Sequence, residues 1–479
     1  MTVVQRLGDL LRGSGYGGRR AADLRADGGV LAPPATLARL GRRDDARLAL
    51  QLALFDDART LTGEQAQTAL GPLSLDELLA AGVLESDGHG LRSRLQLSVV
   101  GGLILAGDPP RDSARESYVL SATPASAWLA RLTVRRQVAG ALDLGTGSGV
   151  HALLAARHAA HVVGVDVNPH ALELARLSQR LNGIDDRVTW AQGDWLEPVV
   201  AECFELVVAN PPYVISPDNA RLFRDSDAAG DETSRRLVRD CASALTEGGI
   251  AAIMCSWIHR AEAWEPELRE WVSGLGCDAL LLHASSDTPL GYAITWNSDR
   301  AASDPEGFDE AVTRWVSHYA QIGAQRIATG FVLLRRRSGG SNWIRGIGGV
   351  GIARGDAGEQ IERIFAAGDL LGGERGAGQL GALLSRAWRL VDRHRLDQSA
   401  VHGGGAYTSE ARMSLRPDSG IRATIDARVL AVLLACDGRR SLGELLDEAD
   451  VPEGIDRTAF QSLCIGAFRE LVTRGFLVE

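Results

Sequence analysis

From Ala141 to Gly149 the chain reads A-L-D-L-G-T-G-S-G, a short apolar run that opens into alternating glycines and then an Ala/Leu-rich segment. That order predicts a buried strand, a tight loop and a helix, the repeating unit of a parallel α/β sheet. Glycines at 145, 147 and 149 let the backbone turn and pass close to a ligand where any Cβ would collide. Their spacing is not G-x-G-x-x-G, so a loop beside a smaller ligand is expected in place of a pyrophosphate cradle. His161 to Asp166, H-V-V-G-V-D, predicts a second strand ending in a carboxylate able to accept two hydrogen bonds from a ribose diol. Asn168 and Pro169 suit an N-cap and first helical position, and Ala171, Leu172, Leu174, Ala175 and Leu177 suit a helix packing on the sheet. A third strand, Val188 to Trp190, leads to Gly193-Asp194-Trp195, where the acid suits an amino group of adenine and the indole suits its ring face. The expected fold is α/β with a doubly wound, mostly parallel sheet and one crevice above its strand ends.

A fourth strand runs into the most chemically specific stretch, Phe204 to Tyr213, F-E-L-V-V-A-N-P-P-Y. A strand that ends in an amide, two rigid prolines and an aromatic ring presents those groups in fixed order at the sheet edge. The Asn210 oxygen and a carbonyl within Pro211-Pro212 can accept hydrogens from a planar NH2 group while Tyr213 covers its face. Without its context, the same tetrapeptide is an ordinary strand-ending turn.

With these motifs in place, residues from about Ser117 to Arg337 resemble a class I S-adenosylmethionine-dependent methyltransferase of the N-P-P-Y subgroup. The resemblance implies that Gly145, Gly147 and Gly149 wrap the methionine moiety, Asp166 holds the ribose and Asp194 contacts adenine. Asp143, Thr146, Val167, Trp195 and Asn210 complete the expected cofactor-binding set. Asn210, Pro211, Pro212 and Tyr213 are the expected catalytic group, holding a substrate nitrogen. G-D-W followed by N-P-P-Y-V most resembles the release-factor glutamine methyltransferases, and Val207-Val208-Ala209 also satisfies the signature shared with adenine-N6 methyltransferases. The family usually carries a P-x-T-E type signature ahead of the glycine strand, where this chain has Thr123-Pro124-Ala125-Ser126.

The chemistry accounts for the residue types. An amide or aromatic amine has a delocalised lone pair, so attack on a sulfonium methyl needs the nitrogen held in line and helped towards a tetrahedral shape. The electrophile is already charged, so neither a metal nor a nucleophilic residue is required. Six cysteines at 203, 241, 255, 277, 436 and 464 form no C-x-x-C pair, and His151, His158 and His161 are assigned to a helix surface. His402, beside a triple glycine, is read as a loop residue.

At 479 residues the chain has room for several units. We expect an accessory region at 1–112, a methyltransferase domain at 113–338, and a Gly-rich connector with a second accessory region at 339–479. Asp108-Pro109-Pro110 and Ser338-Gly339-Gly340-Ser341 mark the joins, with Phe331 to Arg337 as the last strand of the catalytic sheet and Pro305 to Gln321 as an inserted helix. Ser74-x-x-Glu77 and Ser441-x-x-Glu444 predict capping boxes, and both flanks end in a helix, a glycine and an apolar strand, as winged-helix modules do. Gly346-x-Gly348-x-x-Gly351 is discounted as a dinucleotide motif because glycine is abundant around it, and Gly372 to Gly378 and Gly403 to Gly405 are read as loops.

All 51 basic residues are arginine and the net charge is -10, which argues against broad nucleic-acid affinity but allows local phosphate contacts, for example at Arg39, Arg42, Arg43 and Arg47. No long apolar run or signal peptide is read, so a soluble cytoplasmic protein with reduced thiols is expected, without membrane or metal. The expected activity is methylation of a planar nitrogen: an exocyclic amine of RNA or DNA, or a protein glutamine amide, with a small-molecule amine behind these. The alternative is a silent cofactor-binding regulator or scaffold whose winged-helix-like ends bind nucleic acid; the intact N-P-P-Y favours the enzyme.

Overall fold

The computed structural model describes residues 1–26, 43–184, 186–218, 230–339, 341–372, 377–403 and 406–479. Arg39, Arg42, Gly340, residues 373–376 and Gly404-Gly405 of the segments discussed above lie outside them. The chain forms two compact units, Met1–Ala130 with Gln137–Thr233, and Arg131–Arg136 with Ser234–Glu479.

Among the described residues of the first unit, helices Val3–Ser14, Arg19–Ala26, Arg43–Phe55, Gly63–Leu70 and Leu75–Ala80 precede two hairpins. The hairpins pair β1 (Leu84–Ser86) with β2 (Leu91–Ser93), and β3 (Gln96–Val100) with β4 (Leu103–Gly107). Next come β5 (Val138–Leu144), helix Val150–Ala155, β6 (Ala159–Asp166), helix Pro169–Asn182, β7 (Val188–Gln192) and β8 (Phe204–Ala209). These last four strands are all parallel, in the order β8-β5-β6-β7. The chain therefore winds outward from β5 through β6 to β7, then returns to the other side of β5. Their continuous apolar sequences fit burial on both faces: Ala141, Leu142, Leu144, Val162, Val165, Leu206, Val207 and Val208 are all buried.

Helix Pro169–Asn182 begins as expected, with the Asn168 side chain accepting from the His170 N–H and Pro169 at the first position. Its apolar residues do not all face the sheet, contrary to expectation. Ala171, Leu174, Leu177 and Leu181 form a stripe at helical spacing that joins the N-terminal hydrophobic cluster of Leu7, Leu11, Leu48 and Phe55. Polar contacts reinforce this seam: the Ile104 N–H donates to Asn182 Oδ1 (3.0 Å), the Ala106 N–H to Ser178 Oγ (2.9 Å), and Arg12 Nη1 to the Leu181 carbonyl (2.7 Å). Gly8 lets the two helices touch, because a Cβ there would sit 1.8 Å from the Leu181 carbonyl oxygen. Gly8→Ala is accordingly expected to destabilise the protein by about 1–3 kcal/mol, despite alanine's better helix propensity, since backbone has to move. Thermal unfolding checks this; an unchanged or higher Tm would mean that the seam contributes little.

The second unit carries β9 (Leu245–His259), β10 (Cys277–Asp287), β11 (Arg326–Arg336) and β12 (Ile344–Ile347) in the order β9-β11-β10-β12. β11 is antiparallel to both neighbours and β12 is parallel to β10. The strand expected at Phe331 to Arg337 starts earlier, at Arg326, and it is not the last: β12 follows. Asp278, fully buried, ties this corner together by accepting from Arg335 (2.6 Å) and the Trp343 N–H (3.2 Å) and by pairing with Arg337 at 3.0 Å. A helix spans Pro305–Gln321 as predicted. Gly346 and Gly351 are packing positions: a Cβ on Gly346 would lie 2.4 Å from Glu265 Oε1, and one on Gly351 would lie 3.3 Å from Arg422 Nη2.

His402 lies in a strand, His394–Gly403, and Gly378 lies in helix Ala377–Leu384, which corrects both loop readings. Alternation and periodicity were hidden there by abundant glycine. Ser441 and Glu444 form the reciprocal capping box. Ser74 caps its helix through the Glu77 N–H, but the Glu77 carboxylate pairs with Arg6 at 2.6 Å instead of closing the box.

Candidate active site

The reversal of winding between β5 and β8 leaves a crevice beyond their carboxyl ends, where an open α/β sheet accommodates a ligand. Leu144 is in register with Ala209 on one side and Val165 on the other, and Asp166 with Gln192. Gly145, Asn210, Asp166 and Gly193 thus emerge along one edge. Gly145, Gly147 and Gly149 all have left-handed backbones, with φ of 68°, 53° and 86°. Only glycine adopts that conformation readily, which explains the triplet.

A Cβ on Gly145 would come within 4.0 Å of the Asn210 carbonyl oxygen and Pro211 Cα, and 3.9 Å from Trp195 Cζ3. The glycine loop, N-P-P-Y and Trp195 are therefore neighbours. A Cβ on Gly147 would meet nothing within 4 Å. Trp195 itself has a φ of 48°, a left-handed conformation costly for an aromatic residue, which concentrates local strain at the crevice.

Asp166 accepts from the Gly147 N–H (2.8 Å) and the Asn168 N–H (2.9 Å), so it fixes the loop as well as ending its strand. Burial raises its carboxyl above the ordinary range against those hydrogen bonds. Val167 beside it is 56% exposed, leaving an apolar surface at the rim. Asp194 is exposed. Asp143 and Thr146 face inward, 1% and 2% exposed: the Thr146 hydroxyl donates to Asp143 Oδ2 (2.6 Å), which also accepts from the Ala152 N–H (2.8 Å). Their geometry braces the loop from behind.

Burial pushes the Asp143 carboxyl up to about 7. With its folded value above the ordinary 3.8, this group stabilises the fold most when protonated. The contribution is full below about pH 4 and disappears as pH rises through 7, on the order of 4 kcal/mol in all. Unfolding free energies of the parent and Asp143→Asn across pH 4 to 8 check this. The parent should lose stability relative to the variant over that window, and a constant difference would contradict it.

Asn210 shows the most telling polar arrangement. Its Nδ2 donates to Ser126 Oγ at 3.0 Å, while its Oδ1 is buried and has no hydrogen-bond partner among the described residues. Ser126 is held in turn by Thr123, whose hydroxyl caps helix Pro124–Leu132 by accepting the Ser126 N–H (3.1 Å) and lies 3.0 Å from Ser126 Oγ. The result is an amide with its donor end anchored and its acceptor end unsatisfied, at a cost of about 1–3 kcal/mol unless a ligand hydrogen fills it. Pro211 is buried, Pro212 and Tyr213 are partly exposed, and burial pushes the Tyr213 phenol up to about 12, so it stays protonated.

Two residues of this neighbourhood escaped sequence reasoning. Ser126 stood in the cap motif, but only the fold brings it to Asn210, 84 positions away. Trp190 fills the space behind the loop: a Cβ on Gly149 would lie 2.9 Å from its ring and one on Gly164 2.6 Å, and its Nε1 donates to Gln179 Oε1 (2.8 Å). His151 and His158 are buried, not on a helix surface as expected. Both His151 ring nitrogens lack partners among the described residues, and burial lowers that imidazole to about 3, keeping it neutral. Among the described residues, no group of three or more His, Cys, Asp or Glu is arranged to hold a metal, and no helix is long and apolar enough to cross a membrane.

Residues 139–277 match a family model described as a methyltransferase domain. A ribosomal protein uL3 glutamine methyltransferase of Bradyrhizobium diazoefficiens is 38% identical over 122 residues, 23% of this chain and 38% of that protein. A release factor glutamine methyltransferase of Rhodospirillum rubrum is 38% identical over 125 residues, again 23% and 38% of the two chains. One from Deinococcus radiodurans is 32% identical over 184 residues, 33% of this chain and 65% of its own length. The chain thus spans well under half of the first two relatives.

Proposed function

We propose that this chain, whose residues 139–277 match a methyltransferase domain model, is an S-adenosylmethionine-dependent N-methyltransferase acting on a planar nitrogen, with a protein glutamine amide as the leading acceptor. The reading rests on one observation above all: the anchored Asn210 amide whose buried Oδ1 lacks a partner, directly beside the glycine loop. A planar NH2 group supplies the hydrogen that this oxygen lacks. The names of the relatives favour a glutamine carboxamide. An exocyclic nucleobase amine is the second reading, since Val207-Val208-Ala209 ahead of N-P-P-Y also suits adenine-N6 chemistry.

The cofactor fits the residues present: the open space over Gly147 and the Asp166 carboxylate match the methionine and ribose ends, and Val167, Asp194 and Trp195 match the adenine end. When bound, it supplies an electrophilic methyl group. Asn210 accepts a hydrogen from the target nitrogen and so aligns its lone pair, an interaction that strengthens as the nitrogen becomes tetrahedral and positive. Pro211 and Pro212 hold that acceptor rigid, and the neutral Tyr213 ring covers the face of the acceptor group.

Calorimetry of the full chain with S-adenosylhomocysteine and with NAD tests the cofactor, and transfer of labelled methyl groups into protein, RNA, DNA and small-molecule fractions tests the acceptor. S-adenosylhomocysteine is expected to bind and NAD not. Tight NAD binding without S-adenosylhomocysteine binding would refute the reading. Label appearing only on carbon or oxygen would refute the planar nitrogen.

A further inference from the structure

A cavity of about 490 Å³ lies between the β1–β2 hairpin, the segment after β4 and helix Pro169–Asn182. It shares no residue with the crevice set. Its wall carries Arg92, Arg94, Arg111, Arg115 and Arg180. Three of these converge on one carboxylate: Glu85 Oε1 accepts from Arg92 (2.7 Å) and lies 3.2 Å from Arg111, and Glu85 Oε2 lies 3.9 Å from Arg94. One negative charge among three guanidinium groups leaves two positive charges uncompensated at that point. The other lining acids have partners of their own, the exposed Glu173 lying 3.5 Å from His170. Asp112 pairs with Arg115 at 3.1 Å, and the buried Asp108 accepts from the Val119 N–H and contacts His170, each at 2.8 Å.

We propose that this cavity binds a phosphate group, as a second ligand site independent of the methyl-transfer reaction. A phosphate carrying close to two negative charges balances the excess beside Glu85, and planar guanidinium forks match its oxygens. The volume falls in the range of small-ligand sites, and Leu95, Leu174 and Leu177 give the wall an apolar part suited to a nucleotide-sized body. The phosphate comes either from a nucleic-acid strand or from a free phosphorylated molecule.

The test uses the whole 479-residue chain, inorganic pyrophosphate followed by calorimetry, and a fluorescent single-stranded RNA oligonucleotide followed by anisotropy. Pyrophosphate should bind. Arg94→Glu, at an exposed side chain, should weaken it about 10-fold or more. Glu85→Gln should tighten it, because it removes the competing anion; a merely structural ion-pair cluster would give no such gain. S-adenosylhomocysteine affinity should stay unchanged in both variants. Oligonucleotide binding that pyrophosphate displaces would assign the phosphate to a nucleic-acid strand, and pyrophosphate binding without oligonucleotide binding would assign it to a small molecule. Absence of pyrophosphate binding, loss of affinity in Glu85→Gln, or equal displacement by polyglutamate would overturn the proposal.

Discussion

Asn210→Ala is expected to lower methyl-transfer turnover about 100- to 1000-fold while changing S-adenosylhomocysteine affinity only slightly. The Asn210 side chain donates to Ser126 Oγ at 3.0 Å and keeps an unpartnered buried oxygen. Alanine removes that acceptor without touching the Asp166 contacts that hold the loop. If the oxygen acts mainly as the transition state forms, the loss appears in kcat more than in binding. Asn210→Asp retains an acceptor and should keep measurable activity. Ser126→Ala leaves the acceptor in place but frees the amide to rotate, so a smaller loss in kcat, with cofactor affinity intact, is expected. Single-turnover rates of the three variants decide it. If Asn210→Ala turns over like the parent while Asp166→Ala is inactive, the nitrogen-holding role is wrong.

Asp166→Ala should weaken cofactor binding by about 1–3 kcal/mol, or roughly 5- to 150-fold. The change removes the carboxylate expected at the ribose and also strips the Gly147 and Asn168 N–H groups of their acceptor, at 2.8 and 2.9 Å. Both effects act on the cofactor side of the crevice. Asp166→Asn keeps one acceptor oxygen and should lose less. Calorimetry with S-adenosylhomocysteine on folded variants measures the difference, and equal affinity in parent and Asp166→Ala would place the ribose elsewhere.

The parallel core was legible because strand, glycine turn and helix each leave a local signature. The three left-handed glycines at 145, 147 and 149, the Asn168 cap and the apolar strands follow from short-range sterics and burial, which neighbouring residues determine. The same holds for the order of Asn210, Pro211, Pro212 and Tyr213 at the end of β8. What went unread was either masked by local composition or decided at long range. Glycine-rich stretches masked the strand holding His402 and the helix holding Gly378. The pattern of helix Pro169–Asn182 told that it was buried but not against what, because its two apolar stripes look alike in sequence while one meets the N-terminal cluster.

By itself, then, the sequence determined the α/β core, the glycine loop and the identity of the groups at its strand ends, all set by backbone conformations and polarity that act within a few residues. Only tertiary structure decided that Ser126 anchors Asn210, that Trp190 fills the space behind Gly149, and that Arg111 joins the hairpin's Arg92 and Arg94 at Glu85. Those contacts join residues far apart along the chain, and such residues meet only when the strand order and the docking of the N-terminal helices bring them to one place.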